Sequence, residues 1–325
     1  MIFVENEFAP LKRVVVAQSE FGYPIQPKED DLRFLNETEL QESLNNKEIW
    51  GKNFAEVYPD LQKQWELERI NLTQVLQRYG VEVFHPRKLT NAEKNAVGKD
   101  GYANFFCRDP FFTIGNFVIE GSLRFLQRRN EVFPLREIFE KVVYPEDCIY
   151  IAVPQPEITD DTDLTLGKGP FLEGGDVLVY DKTVFVGNSG LASNDLGIFW
   201  LTKLLKPHGY TVKKIELHPN ILHLDCALGF VKEGLMIICE DAFINGVPEL
   251  FNDWRKIKVS LKEATSLATN GLPVSSDVYI TDPVFKHIGE QIAQEGITVE
   301  YIDFNISRSF GGAFRCSTQP LLRKF

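Results

Sequence analysis

The chain has 325 residues, 44% of them hydrophobic and 25% charged, which excludes wholesale disorder and collagen-like repetition. A formal charge of −11 excludes the overall basic character of a nucleic-acid binder and suits a cationic ligand. No apolar run reaches the roughly 18–20 residues that cross a bilayer. The first residues lack a secretory pattern, and five cysteines are too few for a disulfide framework, so a cytoplasmic protein is expected. Twenty-five Phe against two Met imply a rigid, ring-rich core.

In chain order, Leu11-Lys12-Arg13-Val14-Val15-Val16-Ala17 reads as a strand. Val57, Leu61, Trp65, Leu72, Val75 and Leu76 then mark an amphipathic helix that stops at Gly80, where a strand begins. Residues 112–119 read as a hairpin, and 177–186 as a second one turning at Asp181-Lys182. A helix over 197–205 stops at Gly209, 235–239 reads as a strand, and a helix over 284–293 stops at Gly296. No linker or low-complexity tract divides the chain. Short packages of two strands, helix and strand favour one α/β domain of repeated ββαβ-like units over a doubly wound sheet.

Several polar groups carry potential chemistry. Asp109, just ahead of Pro110, is on local evidence a turn residue. Glu173-Gly174-Gly175-Asp176 sets two acids around a glycine pair that permits close approach of backbone or ligand. In an extended segment His223 and Asp225 point to one face, an arrangement that orients an imidazole for acid–base work or simply hydrogen-bonds it. Gly311-Gly312 ahead of Cys316 can set a thiol on a tight turn, with Arg315 available to lower its pKa; alone, Cys316 also reads as a small buried hydrophobe. His218, His223 and Cys226 lack the spacing of a zinc site. Gly187-Asn188-Ser189-Gly190-Leu191 lacks the last Gly of a hydrolase elbow. Asp160-Asp161-Thr162-Asp163 reads as a solvated loop.

Taken in order, Arg108-Asp109, Glu173-Gly174-Gly175-Asp176, His223-Leu224-Asp225 and Gly311-Gly312 with Cys316 resemble the guanidine-modifying (amidinotransferase) superfamily. That group includes arginine deiminases, dimethylarginine hydrolases and glycine amidinotransferase. Asp109 lies 64 residues before Glu173, Glu173 lies 50 before His223, and His223 lies 93 before Cys316. Pro10-Leu11-Lys12-Arg13-Val14-Val15-Val16 is similar to the family's first strand, so the resemblance covers most of the chain. It implies that residues 1–325 form a single five-bladed ββαβ propeller, the pentein fold, around a polar site. It implies Cys316 as nucleophile, His223 as general acid–base, and Glu173, Asp109 and Asp225 as the carboxylates around a guanidinium, with Asp176 a structural acid behind them. Arg128 or Arg129, in Arg128-Arg129-Asn130-Glu131, is then available to a substrate carboxylate. No cofactor and no metal are implied. The partners implied are a small guanidino compound and an amine acceptor, not nucleic acid or a membrane.

The chemistry is consistent with that reading. A guanidinium is planar and permanently charged, and its fork of N–H donors matches carboxylates. Attack by Cys316 yields an amidino-thioether that stays cationic, so the site needs acids where acyl transfer needs an oxyanion hole. Those acids raise the thiol pKa in an empty site, so the substrate itself helps to create the thiolate. The stretch from Asn194 to Trp200 looks like glycine amidinotransferase, and Asn188 stands where transferases and deiminases carry an Arg. Arg128-Arg129-x-Glu131 and Leu222-His223-Leu224-Asp225-Cys226 look like the hydrolase branch. The expected activity is amidino transfer to an amine, with the 154–170 stretch as a lid that shields the thioether. The alternatives are hydrolysis of arginine or a substituted arginine, and a non-catalytic propeller such as the ribosome-binding anti-association factor.

Overall fold

Four times along the chain an antiparallel hairpin is followed by a crossover and a third strand that pairs parallel with the second. In this computed structural model, which describes residues 1–25, 27, 41, 44–96, 101–125, 128–156 and 168–325, the first blade comprises Phe111–Ile114, Phe117–Glu120 and Ile149–Ala152. The second comprises Val177–Tyr180, Thr183–Asn188 and Thr211–Glu216. The third comprises Leu228–Lys232, Leu235–Ile238 and Arg255–Lys258, and the fourth Leu272–Ser275, Val278–Thr281 and Thr298–Tyr301. The fifth blade joins distant parts of the sequence. Its inner strand Thr318–Arg323 runs antiparallel to Leu11–Val16, which pairs parallel with Glu82–Phe84, and Phe3–Val4 adds an edge. Five such units make the α/β propeller, and short hairpins with a parallel return strand account for the repeated packages in the sequence.

The helix stops have one physical cause. Gly80, Gly209 and Gly296 all take left-handed φ, at 75°, 79° and 79°, with open space where a Cβ would stand, so backbone conformation alone selects glycine there. The first of these helices, α1 (Pro59–Arg78), begins on a proline, carries Asp60 in its first turn and Arg78 in its last, and buries Trp65, Leu72, Val75 and Leu76. Leu61, read as apolar-face, is 38% exposed. The crossover of the third blade departs from the expected ββαβ pattern. It is made by the 3-10 turns Glu240–Ala242 and Glu249–Phe251, with no α-helix between its last two strands. The acidic run at 160–163 and most of the expected lid over 154–170 lie outside the described residues.

Rings fill the interior as the composition implied. Phe8, Tyr180, Phe230, Phe251 and Trp254 pack at centroid distances of 5.2–6.5 Å. A second aromatic group positions the turn ahead of Cys316. Phe310 stacks on Trp65 of α1 at 4.7 Å, and Phe105 packs against both. On the same face of α1, Glu68 accepts from the backbone N–H groups of Ile306 (2.7 Å) and Ser307 (3.1 Å), while Trp65 and Arg69 donate to the Ser307 hydroxyl. The helix thereby fixes the chain that leads into the Cys316 turn.

Gly312 lies against Phe106, with a ring carbon 2.3 Å from where a Cβ would stand. Gly312→Ala should therefore cost about 1–3 kcal/mol of stability through overpacking, read as a lower Tm, and Phe106→Leu in the same chain should recover part of the loss. An unchanged Tm in Gly312→Ala would mean that this contact does not constrain the turn.

Candidate active site

Apart from Arg128 and Arg129, which lie in the crossover of the first blade, each candidate residue stands just ahead of the first strand of a blade. Asp109 precedes Phe111–Ile114, Glu173 to Asp176 precede Val177–Tyr180, His223 to Asp225 precede Leu228–Lys232, and Cys316 precedes Thr318–Arg323. The glycine pair in the second blade is required by contact. A Cβ on Gly174 would stand 2.0 Å from the Arg108 carbonyl, and one on Gly175 would stand 2.6 Å from His223 Nδ1 and 2.7 Å from Asp109 Oδ1. Without side chains there, the Gly175 N–H reaches Asp109 Oδ1 at 2.8 Å. Asp176 binds backbone, accepting from Ser193 N–H and Leu224 N–H, and so ties the second blade to the third.

The structure alters the expected pairing of His223. Leu224–Cys226 is a 3-10 turn with His223 extended ahead of it, so the two-residue alternation of a strand does not apply and His223 and Asp225 serve different partners. His223 Nε2 is 2.8 Å from Glu173 Oε2, and its Nδ1 is 3.8 Å from Asp109 Oδ1. Asp225 Oδ2 accepts from Arg315 Nη1 at 2.9 Å and lies 3.6 Å from Cys316 Sγ, while Cys226 Sγ lies 3.6 Å from its other oxygen. Burial alone would depress the imidazole, but Asp109, Glu173 and Asp176 raise it to about 10, so His223 is an imidazolium at neutral pH.

Arg128 is the cation at the centre of the acids. Its Nη2 donates to Asp109 Oδ2 (2.8 Å) and Glu131 Oε2 (3.0 Å), its Nη1 to Glu173 Oε2 (3.3 Å), and its Nε to Glu131 Oε1 (2.8 Å). The guanidinium expected to receive a substrate carboxylate is thus engaged by three of the protein's own. Against the cost of burial, His223 and Arg128 hold Asp109 down at about 2, whereas burial lifts Glu131 and Asp176 to about 7. Asp109, Glu173 and His223 set ligand atoms within 4.8 Å of one another, a spacing that suits a metal ion, but Arg128 already donates into two of the three. Arg129 turns elsewhere, donating to the carbonyls of Leu123 and Arg124 and lying over the Phe171 ring.

Cys316 is 3% exposed, and burial first, then Asp225 and Asp109, hold its thiol well above the ordinary value. The expected lowering by Arg315 is overridden. Arg315 is bonded to Glu7, Asp225 and the Val177 carbonyl, and two carboxylates neutralise it. Cys107 points its sulfur at the carbonyls of Val15 and Ser317. Asn188 bonds Asp195 at 3.2 Å. Glu7, the acid role of Glu131 and the fourth-blade residue Asn270 were not read from the sequence. A signal for Asn270 was present: the gap of 93 between His223 and Cys316 is the widest of the three, the others being 64 and 50, and Asn270 divides it into 47 and 46.

The sequence model of the family described as Arginine deiminase matches residues 100–269, more than half of the chain. The chain belongs to that family. It stands within the wider guanidine-modifying superfamily, as the residue order suggested. Inosamine-phosphate amidinotransferase 1 of Streptomyces glaucescens is 24% identical over 99% of this chain and 97% of its own. The uncharacterized protein YkgA of Bacillus subtilis is 31% identical over 153 residues, 47% of this chain and 52% of that one. Among solved structures, SxtG, an amidinotransferase from Microseira wollei, superposes with a TM-score of 0.84 at 18% identity, covering 100% and 98% of the two chains. Inosamine-phosphate amidinotransferase StrB1 of Streptomyces griseus gives 0.83 at 20% identity, covering 100% and 97%. These likenesses place this member of the arginine deiminase family in the pentein fold.

The charge on His223 has a measurable consequence. Its folded-state pKa is raised from 6.5 to about 10, so the stability it contributes is fully present below about pH 6.5 and is lost as pH rises towards 10. Urea unfolding at pH 6.5, 8 and 9.5 should show wild type losing stability relative to His223→Gln across that window. A pH-independent difference would mean that the imidazole is neutral in the fold.

Proposed function

We propose that the protein is an amidinotransferase that moves an amidino group from a guanidino donor through Cys316 to an amine acceptor. The observation that carries this is a buried thiol 3.6 Å from a carboxylate oxygen, in a site that also gathers Asp109, Glu173 and the imidazolium of His223. A cation entering there meets Asp225 at the sulfur and lowers the cost of ionising it. As the cation enters, Cys316 gives up its thiol proton to solvent; the thiolate sulfur then forms a bond to the central guanidino carbon, and the carbon–nitrogen bond to the leaving amine breaks. His223, held by Glu173, delivers its proton to that nitrogen. The amidino-thioether keeps its positive charge among the acids. An acceptor amine then attacks the same carbon, gives up a proton to His223, and the carbon–sulfur bond breaks to restore Cys316.

Relatives that match over nearly their full length and carry the name amidinotransferase support transfer as the second half-reaction. The neutral amide of Asn188, bonded to Asp195 and to the Gly190 N–H, supports a donor defined by its guanidinium and not by an arginine α-carboxylate. Hydrolysis of the same intermediate is the second reading, favoured by the family description Arginine deiminase. Both readings share Cys316 and His223 and differ in whether an amine or water reaches the thioether.

Incubation with a panel of guanidino compounds should leave an amidino increment on Cys316 in the intact-protein mass. Turnover should follow ping-pong kinetics and rise on adding a primary amine, with little ammonia, urea or citrulline in its absence. Cys316→Ser should retain less than about a hundredth of wild-type kcat. Sustained release of ammonia or urea from donor alone, unchanged by any amine, would overturn transfer in favour of hydrolysis.

A further inference from the structure

We propose that Asn270 is the positioning residue of the nucleophile, its side-chain oxygen fixing the Cys316 turn and its amide N–H supplying the donor that the charged sulfur takes up. This rests on the reading of Cys316 as the nucleophile. Asn270 occupies in the fourth blade the place that Asp109 and Cys316 occupy in theirs, two residues ahead of an inner strand. Its Oδ1 accepts from the backbone N–H groups of Ala313 (3.1 Å) and Cys316 (3.2 Å), and its carbonyl accepts from Arg315 N–H at 3.3 Å. Next to it, the Thr269 hydroxyl donates to the Asp225 carbonyl at 2.9 Å. Two consecutive residues thus hold both the thiol and the acid beside it.

The backbone just ahead of them takes an uncommon conformation. The helix Leu261–Thr265 ends with Leu267 at φ 72°, a left-handed conformation in which a buried leucine stands where glycine is usual. Strain of that kind persists only where surrounding structure over-determines it. The second observation is an orphan. Asn270 is fully buried, and its Nδ2 has no hydrogen-bond partner. An unmet buried N–H is costly, so one left open beside Cys316 suits a partner that becomes an acceptor only during the reaction. This amide lies against the backbone of Cys316, and the group there that gains acceptor strength during the reaction is the sulfur, when it loses its proton. The other charged or titratable groups bearing on that thiol are Asp225 and Asp109, which oppose ionisation, the cations Arg315 and Arg69, and the Cys226 thiol.

The test follows Cys316 itself and needs no substrate. The rate of peptide-resolved alkylation of the full chain by iodoacetamide, followed from pH 7 to pH 12 so as to bracket a thiol held well above its ordinary value, gives the thiol's titration. Asn270→Asp, which keeps an oxygen for the turn and removes the donor, should move the Cys316 midpoint up by at least one pH unit, and Asn270→Ser should move it in the same direction. Asn194→Asp, altering an asparagine whose Oδ1 likewise accepts two backbone N–H groups (Phe171 and Gly197) away from Cys316, should leave the midpoint unchanged. In wild type, the side-chain amide resonance of Asn270 should titrate with the same midpoint as Cys316, a readout that holds even where a variant fails to fold. A midpoint within 0.3 pH unit of wild type in a folded Asn270 variant, or an amide resonance that ignores the thiol, overturns the inference. If the midpoint moves but no guanidino compound is turned over, the positioning role stands and the proposed function falls.

Discussion

Asp109, Glu173 and Glu131 lie in an interior that excludes water, where an unpaired carboxylate is far more costly than at the surface. Arg128 makes their burial possible. One planar cation meets all three, and through Glu173 it also fixes the oxygen that faces His223. The arrangement around Arg315 is parallel, with Glu7 and Asp225 on either side of a second guanidinium. A site proposed to take a guanidinium is therefore held together by guanidiniums of the protein's own, each matched to carboxylates through fork geometry.

The two Arg-centred groups also separate the roles of neighbouring residues. His223 and Asp225 are two positions apart, yet one faces the Arg128 group and the other the Arg315 group, because the 3-10 turn between them rotates their side chains apart. The imidazole is consequently poised as a proton donor, while the sulfur rests protonated beside an acid. Neither group is active on the other's account, which is the electrostatic reason for assigning thiol ionisation to the arriving cation.

Much of this was legible in the sequence wherever a local rule governs. Gly80, Gly209 and Gly296 announced helix ends because no other residue accepts that backbone conformation at so little cost. Glu173-Gly174-Gly175-Asp176 announced a close approach because two missing side chains beside two acids have few other uses. Illegible were features decided by distant contact. Arg128 read as an available cation because nothing local reveals that Asp109 and Glu173 reach it from other parts of the chain. The inner strand at 272–275 was missed because Pro273 and the glycine before it mask a short strand, and with it went the blade that carries Asn270. The missing α-helix in the third crossover likewise had no local sign.

The closure of the fifth blade fixes an order of assembly. Leu11–Val16 leaves the ribosome early, but its antiparallel partner Thr318–Arg323 arrives only after the other four blades have been made. Until then the early strand has an open edge, and the pairing that covers it joins residues some three hundred positions apart, a contact of high order that forms slowly. Cys316 stands two residues ahead of that closing strand. The thiol is therefore the last of the candidate groups to be synthesised, and it arrives beside Arg315, the cation that Glu7 and Asp225 need.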